Sequence, residues 1–327
     1  MIARFILEKQ GVEIVGAIDV AEDKVGKDLG EVIGPNRHLG TTVSADTDAV
    51  LNKTKPDVVV HTTTSFMEKV YPQIEEIVKH DVNVVSTCEE LSYPYVSAPK
   101  LAHALDELAK KHDVTILGTG INPGYLMDTL AITLTAPCQK INRIRIIRVM
   151  NAATRRVPFQ KKIGAGLSVK EFKENMQAKV ISGHVGLEQS IAMIADALAW
   201  KLDSIRVDSG EPVVAKKAVK SDAISVSAGM AAGLRQCAYG IRKGHEAISL
   251  EFQAYIGAEE EYDAVTIEGV PPIHERISPC VHGDIGTIAM VYNAIPKVLN
   301  AEAGLLTMKD LPVPSAAVED LREYVKL

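Results

Sequence analysis

The chain of 327 residues is 46% hydrophobic and 24% charged, with a formal net charge of −6. This length provides for a large core and about two domains, and the negative charge disfavours a nucleic-acid partner because nucleic-acid binders present a basic face. Since we find no run of about 18 apolar residues and no cleavable leader, we expect a cytoplasmic globular protein without a membrane partner.

The first predicted element is a helix in the segment MIARFILEKQ, where Ile2, Phe5 and Ile6 cluster on one side. It has no N-cap residue, which is typical of a helix that begins further upstream. The apolar segment Val12–Ile18 then predicts a strand that ends at Asp19. In a dinucleotide-binding fold, an acid at this point binds the adenosine ribose, about 20 residues after a strand and a glycine-rich turn.

Counting back that distance from Asp19 passes residue 1, so we expect the first strand and its glycine-rich turn to lie upstream of this sequence. The parallel sheet would then be truncated at its N-terminal side. The alternative is that Asp19 only ends a strand before the polar stretch Ala21–Lys24.

Strands and helices alternate as far as residue 120. Apolar runs predict strands in Lys55–Ser65, Val82–Thr87 and Val114–Gly120, and helical spacing predicts helices in Phe66–His80 and Ala98–His112. This alternation predicts a Rossmann-type parallel sheet covered on both faces, and ligands of such sheets bind beyond the carboxyl ends of the strands. Those ends carry Asp19, Thr62–Ser65, Ser86–Glu90 and Thr119–Asn122.

The pattern changes after about residue 140 to that of an α+β domain. In His245–Gly257, five apolar residues alternate with polar ones, as in a half-buried antiparallel strand: Ile248, Leu250, Phe252, Ala254 and Ile256. Glu261–Gly269 alternates similarly, Ala223–Arg242 provides one or two more strands, and helices are predicted in Ser168–Lys179, His184–Trp200 and Gly283–Leu299. The predicted division is therefore 1–125 with 283–327 for the dinucleotide domain, and 126–282 for a substrate and dimerisation domain with an antiparallel or mixed sheet.

Long motifs throughout the chain resemble one enzyme family. They are GVEIVGAIDV, VVVHTTTSF, NVVSTCEELSYP, GTGINPGYLMD, TRRVPFQKKIGAGL and GDIGTIAMVYNAIPKVLNAEAGLLTMKDLP. Together they resemble the 2,4-diaminopentanoate dehydrogenases and the related native amine dehydrogenases, which share a dihydrodipicolinate reductase-like architecture. Family members begin with a strand and a GxGxxG-type turn that runs into IAR, and in this chain Ile2-Ala3-Arg4 stand almost at the start.

The resemblance implies an oxidoreductase that uses NAD, or NADP, to deaminate 2,4-diaminopentanoate to 2-amino-4-oxopentanoate and ammonia. A native amine dehydrogenase or a dihydrodipicolinate reductase-like enzyme with another small substrate is the alternative. If the truncation is genuine, a cofactor-free binding protein is a further alternative. A second domain of this type often pairs through its sheet, so we expect a homo-oligomer, with a dimer as the first candidate.

The reaction needs a carboxylate that takes a proton from the substrate ammonium, and partial burial raises a carboxyl pKa toward the working pH. Glu89 and Glu90 follow a predicted parallel strand. The resemblance places the family's catalytic glutamate in this CEE motif, and we favour Glu89. The alternative is that both acids only stabilise the N-terminus of a following helix.

The cofactor contacts are expected at the carboxyl ends of the first-domain strands. The candidates are Asp19, Thr62, Thr63, Thr64, Ser65, Cys88 and Asn122. Asp19 would repel a 2′-phosphate, so NAD is the expected cofactor, although Lys24 and Lys27 are close enough in sequence to make NADP possible. Ser65 could instead cap the helix at Phe66, and Asn122 could lie in a plain turn.

The substrate carboxylate needs a cation, and the segment Asn151–Gly166 contains Arg155, Arg156, Gln160 and Lys161 as candidates. The planar fork of Arg is suited to a carboxylate; alternatively, this segment is only a solvated charged face. The histidine- and lysine-rich motif of dihydrodipicolinate reductases is not present in this region. Asp284, before a long helix, is more typical of a cap than of a base.

No metal site is predicted. The four cysteines are scattered and form no CxxC pair: Cys88, Cys138, Cys237 and Cys280. This pattern favours reduced thiols over zinc. His274 and His282 flank Cys280, but no third ligand has suitable spacing.

Overall fold

The computed structural model describes residues 1–34 and 38–326. They form two compact units, Met1–Gly120 with Gly286–Leu327, and Ile121–Ile285. The sequence predicts the boundaries between the two domains at residues 125 and 283. Within the described residues, no helix is both long enough and apolar enough to cross a membrane.

The elements up to residue 120 are α1 (Ile2–Ile6), β1 (Ala17–Ile18), α2 (Leu29–Ile33), β2 (Val43–Ser44), α3 (Thr47–Thr54), β3 (Val58–His61), α4 (Met67–Val78), β4 (Asn83–Ser86), α5 (Pro99–Lys111) and β5 (Thr115–Gly118). The predicted helices and strands of this region are all found, although each is shorter than its predicted segment.

The elements after residue 120 are α6 (Thr129–Leu134), β6 (Lys140–Asn151), α7 (Val157–Lys162), α8 (Val169–Gln177), α9 (Leu187–Ala197), β7 (Ser204–Val207), β8 (Glu211–Val214), β9 (Val219–Lys220), β10 (Ser225–Val226), β11 (Ala231–Arg242), β12 (His245–Tyr255), β13 (Tyr262–Val270), β14 (Ile273–Ile277), α10 (Gly283–Leu299) and β15 (Gly304–Leu306). The bounds of α10 agree with the predicted helix.

The first unit is built on a parallel sheet in the order β15-β5-β4-β3. The sheet is buried because its strands are apolar on both faces; Val84, Val85 and Ile116 are all fully buried. Helix α4 packs on it through Val70 and Ile74, as its helical spacing predicts. The register aligns His61 with Ser86 and Ser86 with Gly118, so the carboxyl ends of three strands meet at one edge.

Strand β1 corrects one prediction. Only Ala17–Ile18 of the predicted strand Val12–Ile18 is a strand, and it pairs in parallel with β2 in a separate two-stranded sheet. Apolar composition alone does not make a strand, because the backbone groups need a partner ladder. In the described residues, that ladder extends over two residue pairs only.

The second unit is built on a seven-stranded sheet in the order β14-β13-β6-β12-β11-β7, with β8 also paired to β11. The alternation in β12 is confirmed, because the face that begins with Ile248 and Leu250 is buried against the core. The sheet is mixed, since β12 runs antiparallel to β11 but parallel to β6. Strand β6 is absent from the predicted strands, although Ile144 and Ile146 alternate with Arg143 and Arg145 as in a half-buried strand; only the buried Arg148 departs from this alternation.

Candidate functional site

The turn that carries Glu89 and Glu90 lies at the carboxyl edge of the first unit's sheet. The Thr87 N–H donates to the His61 carbonyl at 3.0 Å, and the Thr119 N–H donates to the Ser86 carbonyl at 2.8 Å. These bonds extend the pairing of β3, β4 and β5 by one residue. The turn is therefore attached to the rigid sheet on both sides.

Gly118 allows the turn to pack closely against β5. A Cβ atom at this position would lie 2.4 Å from the Leu91 carbonyl carbon, which is backbone and cannot move aside alone. Leu91 belongs to the short 3₁₀ helix Glu90–Ser92 that directly follows Glu89. The position of the glutamates thus depends on a glycine in the neighbouring strand.

The two glutamates have different partners. Glu90 Oε2 accepts the Met67 N–H at 2.6 Å, and so satisfies the N-terminus of α4. Glu90 thus stabilises the N-terminus of the preceding helix α4, and not that of a following helix as the alternative interpretation of the CEE motif had it. Within the described chain, the Glu89 carboxylate has no hydrogen-bond or ion-pair partner, and only its carbonyl accepts a bond, from the Ser92 hydroxyl at 2.7 Å. Glu89 is therefore the glutamate that is available to a ligand.

The hydroxyls of the segment after β3 lie at the same edge of the sheet. Thr62 and Thr63 are exposed, and Thr64 and Ser65 are partly exposed. The interpretation of Ser65 as a helix cap is wrong, because α4 begins at Met67 and has no side-chain cap at its N-cap residue.

Cys88, one of the predicted cofactor contacts, has a buried side chain. Its side chain is 1% exposed and lies in the core of the first unit, where burial raises the pKa of the thiol to about 12. The thiol therefore stays protonated and inaccessible, and only the backbone of Cys88 can contact a cofactor.

Asp19 follows directly after β1, as a ribose-binding acid would. One of its oxygens accepts the Ala21 N–H at 2.9 Å, and the other pairs with the Lys24 ammonium. The Lys24 hydrogen bond is the main reason that the pKa of Asp19 is lowered. The carboxylate is thus ionised, and a cation lies beside it.

In the second unit, Asn122 contacts a histidine that the sequence pattern does not mark. Asn122 Nδ2 lies 2.8 Å from His184 Nε2, and in the described residues Asn122 Oδ1 is shielded from solvent without a partner. The His184 ring stacks on Phe252 at a centroid distance of 4.3 Å. Burial and nearby cations lower the pKa of His184 to about 3, so the ring is neutral.

Arg155 is held by an acid. Its guanidinium makes two bonds to the Asp284 carboxylate, at 3.2 and 3.1 Å, and stacks on Phe159. Asp284 lies in the first turn of α10, and although burial raises its pKa, Arg155 and Arg156 lower it overall. Asp284 is therefore an ion-pair partner rather than the expected cap.

The other substrate candidates differ in availability. The Arg156 side chain is 63% exposed while it reaches Asp284 at 3.2 Å, and Lys161 is exposed. Gln160 is 2% exposed, donates to the Arg155 carbonyl at 2.7 Å and accepts the Ser221 hydroxyl at 2.6 Å. The prediction that Gln160 contacts the substrate is therefore wrong, because its side chain bonds its own loop and is not open to a substrate.

Two family models match this chain. A model described as the 2,4-diaminopentanoate dehydrogenase C-terminal domain matches residues 125–327, and one described as the dihydrodipicolinate reductase N-terminus matches residues 1–91. The 2,4-diaminopentanoate dehydrogenase of Acetoanaerobium sticklandii is 38% identical over 332 residues, which cover 99% of this chain and 93% of that protein. The chain belongs to the 2,4-diaminopentanoate dehydrogenase family.

Two further relatives agree with this membership. An amine dehydrogenase of Streptomyces virginiae is 24% identical over 90% of this chain and 87% of that protein. The solved structure of the amine dehydrogenase from Mycobacterium smegmatis has a TM-score of 0.84 and 28% identity, and the match covers 97% of this chain and 94% of that chain. The predicted dehydrogenase class and the Rossmann-type fold with a second domain are confirmed.

In the described residues of this dehydrogenase, the cysteine thiols are not grouped as metal ligands would be. All four cysteines are free, and among the residues that the structure describes, no group of three His, Cys, Asp or Glu side chains could hold a metal ion. Burial raises the pKa of Cys280 to about 12, and its thiol faces Glu261.

Proposed function

We propose that this dehydrogenase catalyses the NAD(P)-dependent oxidative deamination of 2,4-diaminopentanoate at its C4 amine. From the substrate ammonium, the products are 2-amino-4-oxopentanoate, ammonium, the reduced cofactor and one proton, with water supplying the ketone oxygen. The observation that carries the proposal is the carboxylate of Glu89 at the carboxyl edge of the parallel sheet, which has no partner among the residues that the structure describes. The sequence identity to a 2,4-diaminopentanoate dehydrogenase supports this choice of substrate.

Residues of the first unit fit parts of a dinucleotide. Asp19 offers ionised oxygens that suit ribose hydroxyls, and the exposed hydroxyls of Thr62 and Thr63 can bond a ribose or a carboxamide. When bound, the nicotinamide supplies the hydride acceptor. The cation of Lys24 beside Asp19 lets NADP compete with NAD, so we propose a preference for NAD that is not absolute.

Glu89 takes the proton from the substrate ammonium, which frees the nitrogen lone pair and allows the C4 hydrogen to leave as hydride. Glu89 then releases this proton to solvent, and the regenerated carboxylate orients the water that attacks C4 of the resulting iminium. Glu90 does not have this role, because its carboxylate is bonded to the Met67 N–H at 2.6 Å. A positioned acid–base group of this kind is worth roughly 10²–10⁴-fold in rate.

Taken by itself, the second unit carries groups that suit a small polar ligand. Arg156 is the arginine that is available to a carboxylate, since its side chain is 63% exposed whereas that of Arg155 is 9% exposed. Asn122 offers a carbonyl oxygen that has no partner among the described residues and can accept from an ammonium.

The test is a substrate comparison with the purified protein. We expect cofactor reduction and ammonia release with 2,4-diaminopentanoate at a higher kcat/KM than with 2-aminopentane, which lacks the carboxylate and the C2 amine. A preference for 2-aminopentane would instead make the protein an amine dehydrogenase with a different substrate. If neither compound is oxidised with NAD or NADP, and calorimetry detects no cofactor binding, the cofactor-free alternative replaces the proposal.

A further inference from the structure

We infer that His61 and Ser86 are a positioning pair for the turn that carries Glu89. The inference rests on the role proposed above for Glu89. The two side chains lie at the ends of neighbouring parallel strands, where His61 is 5% exposed and Ser86 is fully buried. His61 Nδ1 lies 2.9 Å from Ser86 Oγ. Neither side chain is needed for the backbone ladder of the sheet, so their contact calls for another explanation.

The directions of the hydrogen bonds can be worked out from one end. Gln73 Oε1 can only accept, so His61 Nε2, which lies 2.7 Å from it, carries the proton of the neutral ring. His61 Nδ1 therefore accepts the hydroxyl proton of Ser86, and the Ser86 oxygen in turn accepts the Cys88 N–H at 3.1 Å. Burial lowers the pKa of His61, which agrees with a neutral ring.

The series of hydrogen bonds continues to the edge of the sheet where a ligand is expected. The hydroxyl of Thr63 donates to the same Gln73 oxygen at 2.7 Å, and Thr63 is exposed beside the predicted cofactor contacts. A series of hydrogen bonds, exposed at Thr63 and buried at Ser86, thus joins Thr63, through Gln73, His61 and Ser86, to the backbone just before Glu89. Thr63 Oγ1 also lies 3.1 Å from His61 Nε2, so the ring N–H faces both Gln73 and Thr63. Linked hydrogen bonds of this kind polarise one another.

His61 acts through other groups rather than on the substrate. Both of its ring nitrogens are engaged and the ring is buried, so it is not open to a reacting atom. Its contribution is to hold Ser86 in the orientation that accepts the Cys88 N–H. Small misplacements of a catalytic group reduce rates strongly, because the reacting atoms must be aligned.

Two substitutions of His61 separate the two halves of this hydrogen-bond series, the half toward Ser86 and the half toward Gln73. In His61→Asn, the amide oxygen takes the place of Nδ1 and can still accept from Ser86, but the link to Gln73 is lost. In His61→Gln, the amide nitrogen takes the place of Nε2 and can still donate to Gln73, but Ser86 loses its acceptor. A positioning role toward Glu89 predicts that the second variant is the slower one.

The experiment measures single-turnover cofactor reduction with 2,4-diaminopentanoate, KM and melting temperature for the whole chain. We expect His61→Gln to slow hydride transfer about tenfold with KM changed less than about twofold, and His61→Asn to stay within about threefold of the wild type. Ser86→Ala should match His61→Gln, and serves in its place if that variant does not fold. His80→Gln, which changes a histidine that follows α4 and is paired with Asp48, is the control.

The outcomes are separable. Equal rates for His61→Asn and His61→Gln, with only their melting temperatures lowered, would overturn the positioning role and leave a purely structural one. An inactive wild-type protein would contradict the proposed function instead.

Discussion

Substitution of Glu89 and of Glu90 should separate the reaction rate from stability. Glu90 Oε2 bonds the Met67 N–H at 2.6 Å, at the N-terminus of the 12-residue helix α4. Removing this acceptor in Glu90→Ala should cost about 1–2 kcal/mol, as for other N-terminal caps. Glu90→Gln keeps an oxygen acceptor and loses only the charge at the helix N-terminus, which is worth about 0.3–1 kcal/mol.

The expected stability effect is a fall in Tm of about 2–8 °C for Glu90→Ala and a smaller fall for Glu90→Gln. Glu89→Gln should leave Tm unchanged, since its carboxylate has no partner within the described residues to lose. It should nevertheless slow hydride transfer by roughly 10²–10⁴-fold, because an amide cannot take the ammonium proton.

The assay is a stopped-flow single turnover with 2,4-diaminopentanoate and its C4-deuterated form, combined with thermal melts of every variant. The deuterium effect identifies hydride transfer as the step that is slowed, and the single turnover separates it from changes in KM. If Glu90→Gln is the slower variant, the catalytic role passes to Glu90. If neither variant slows hydride transfer, the base lies elsewhere and our account of the CEE turn is wrong.

Three further changes test other parts of the structure. Lys24→Gln removes the cation beside Asp19, and should raise the preference for NAD over NADP about fivefold in kcat/KM with each cofactor. Gly118→Ala places a Cβ atom against the Leu91 backbone, and should cost about 1–3 kcal/mol in urea denaturation and slow the reaction; an unchanged rate would show that the turn tolerates movement. Burial and cations lower the pKa of His184 from 6.5 to about 3, so the unfolded chain binds the proton more readily and stability falls as the pH falls through this range. His184→Gln should flatten that fall in denaturation curves measured at several pH values, and an unchanged slope would contradict the shifted pKa.

Sequence patterns alone determined the elements whose signal is local. The apolar spacing of α4 and α10 predicts their existence because one face of a helix repeats within a few residues, whatever the rest of the chain does. The short apolar runs between amphipathic helices likewise predict a parallel sheet, and the sheet predicts the edge at which Glu89 and Thr63 lie. The family resemblance added the dehydrogenase class, which the comparisons confirm.

Only the tertiary structure decided which side chains are available at those positions. Glu89 and Glu90 are equivalent in sequence, and they differ because the start of α4 is brought to one of them and not to the other. Gln160 has the composition of a ligand contact, but Ser221 and the loop backbone use its amide. His61 and Ser86 are 25 residues apart, and the parallel register of their strands makes them partners. Hydrogen bonds and burial between distant segments depend on strand order and register, and no local period in the sequence encodes either.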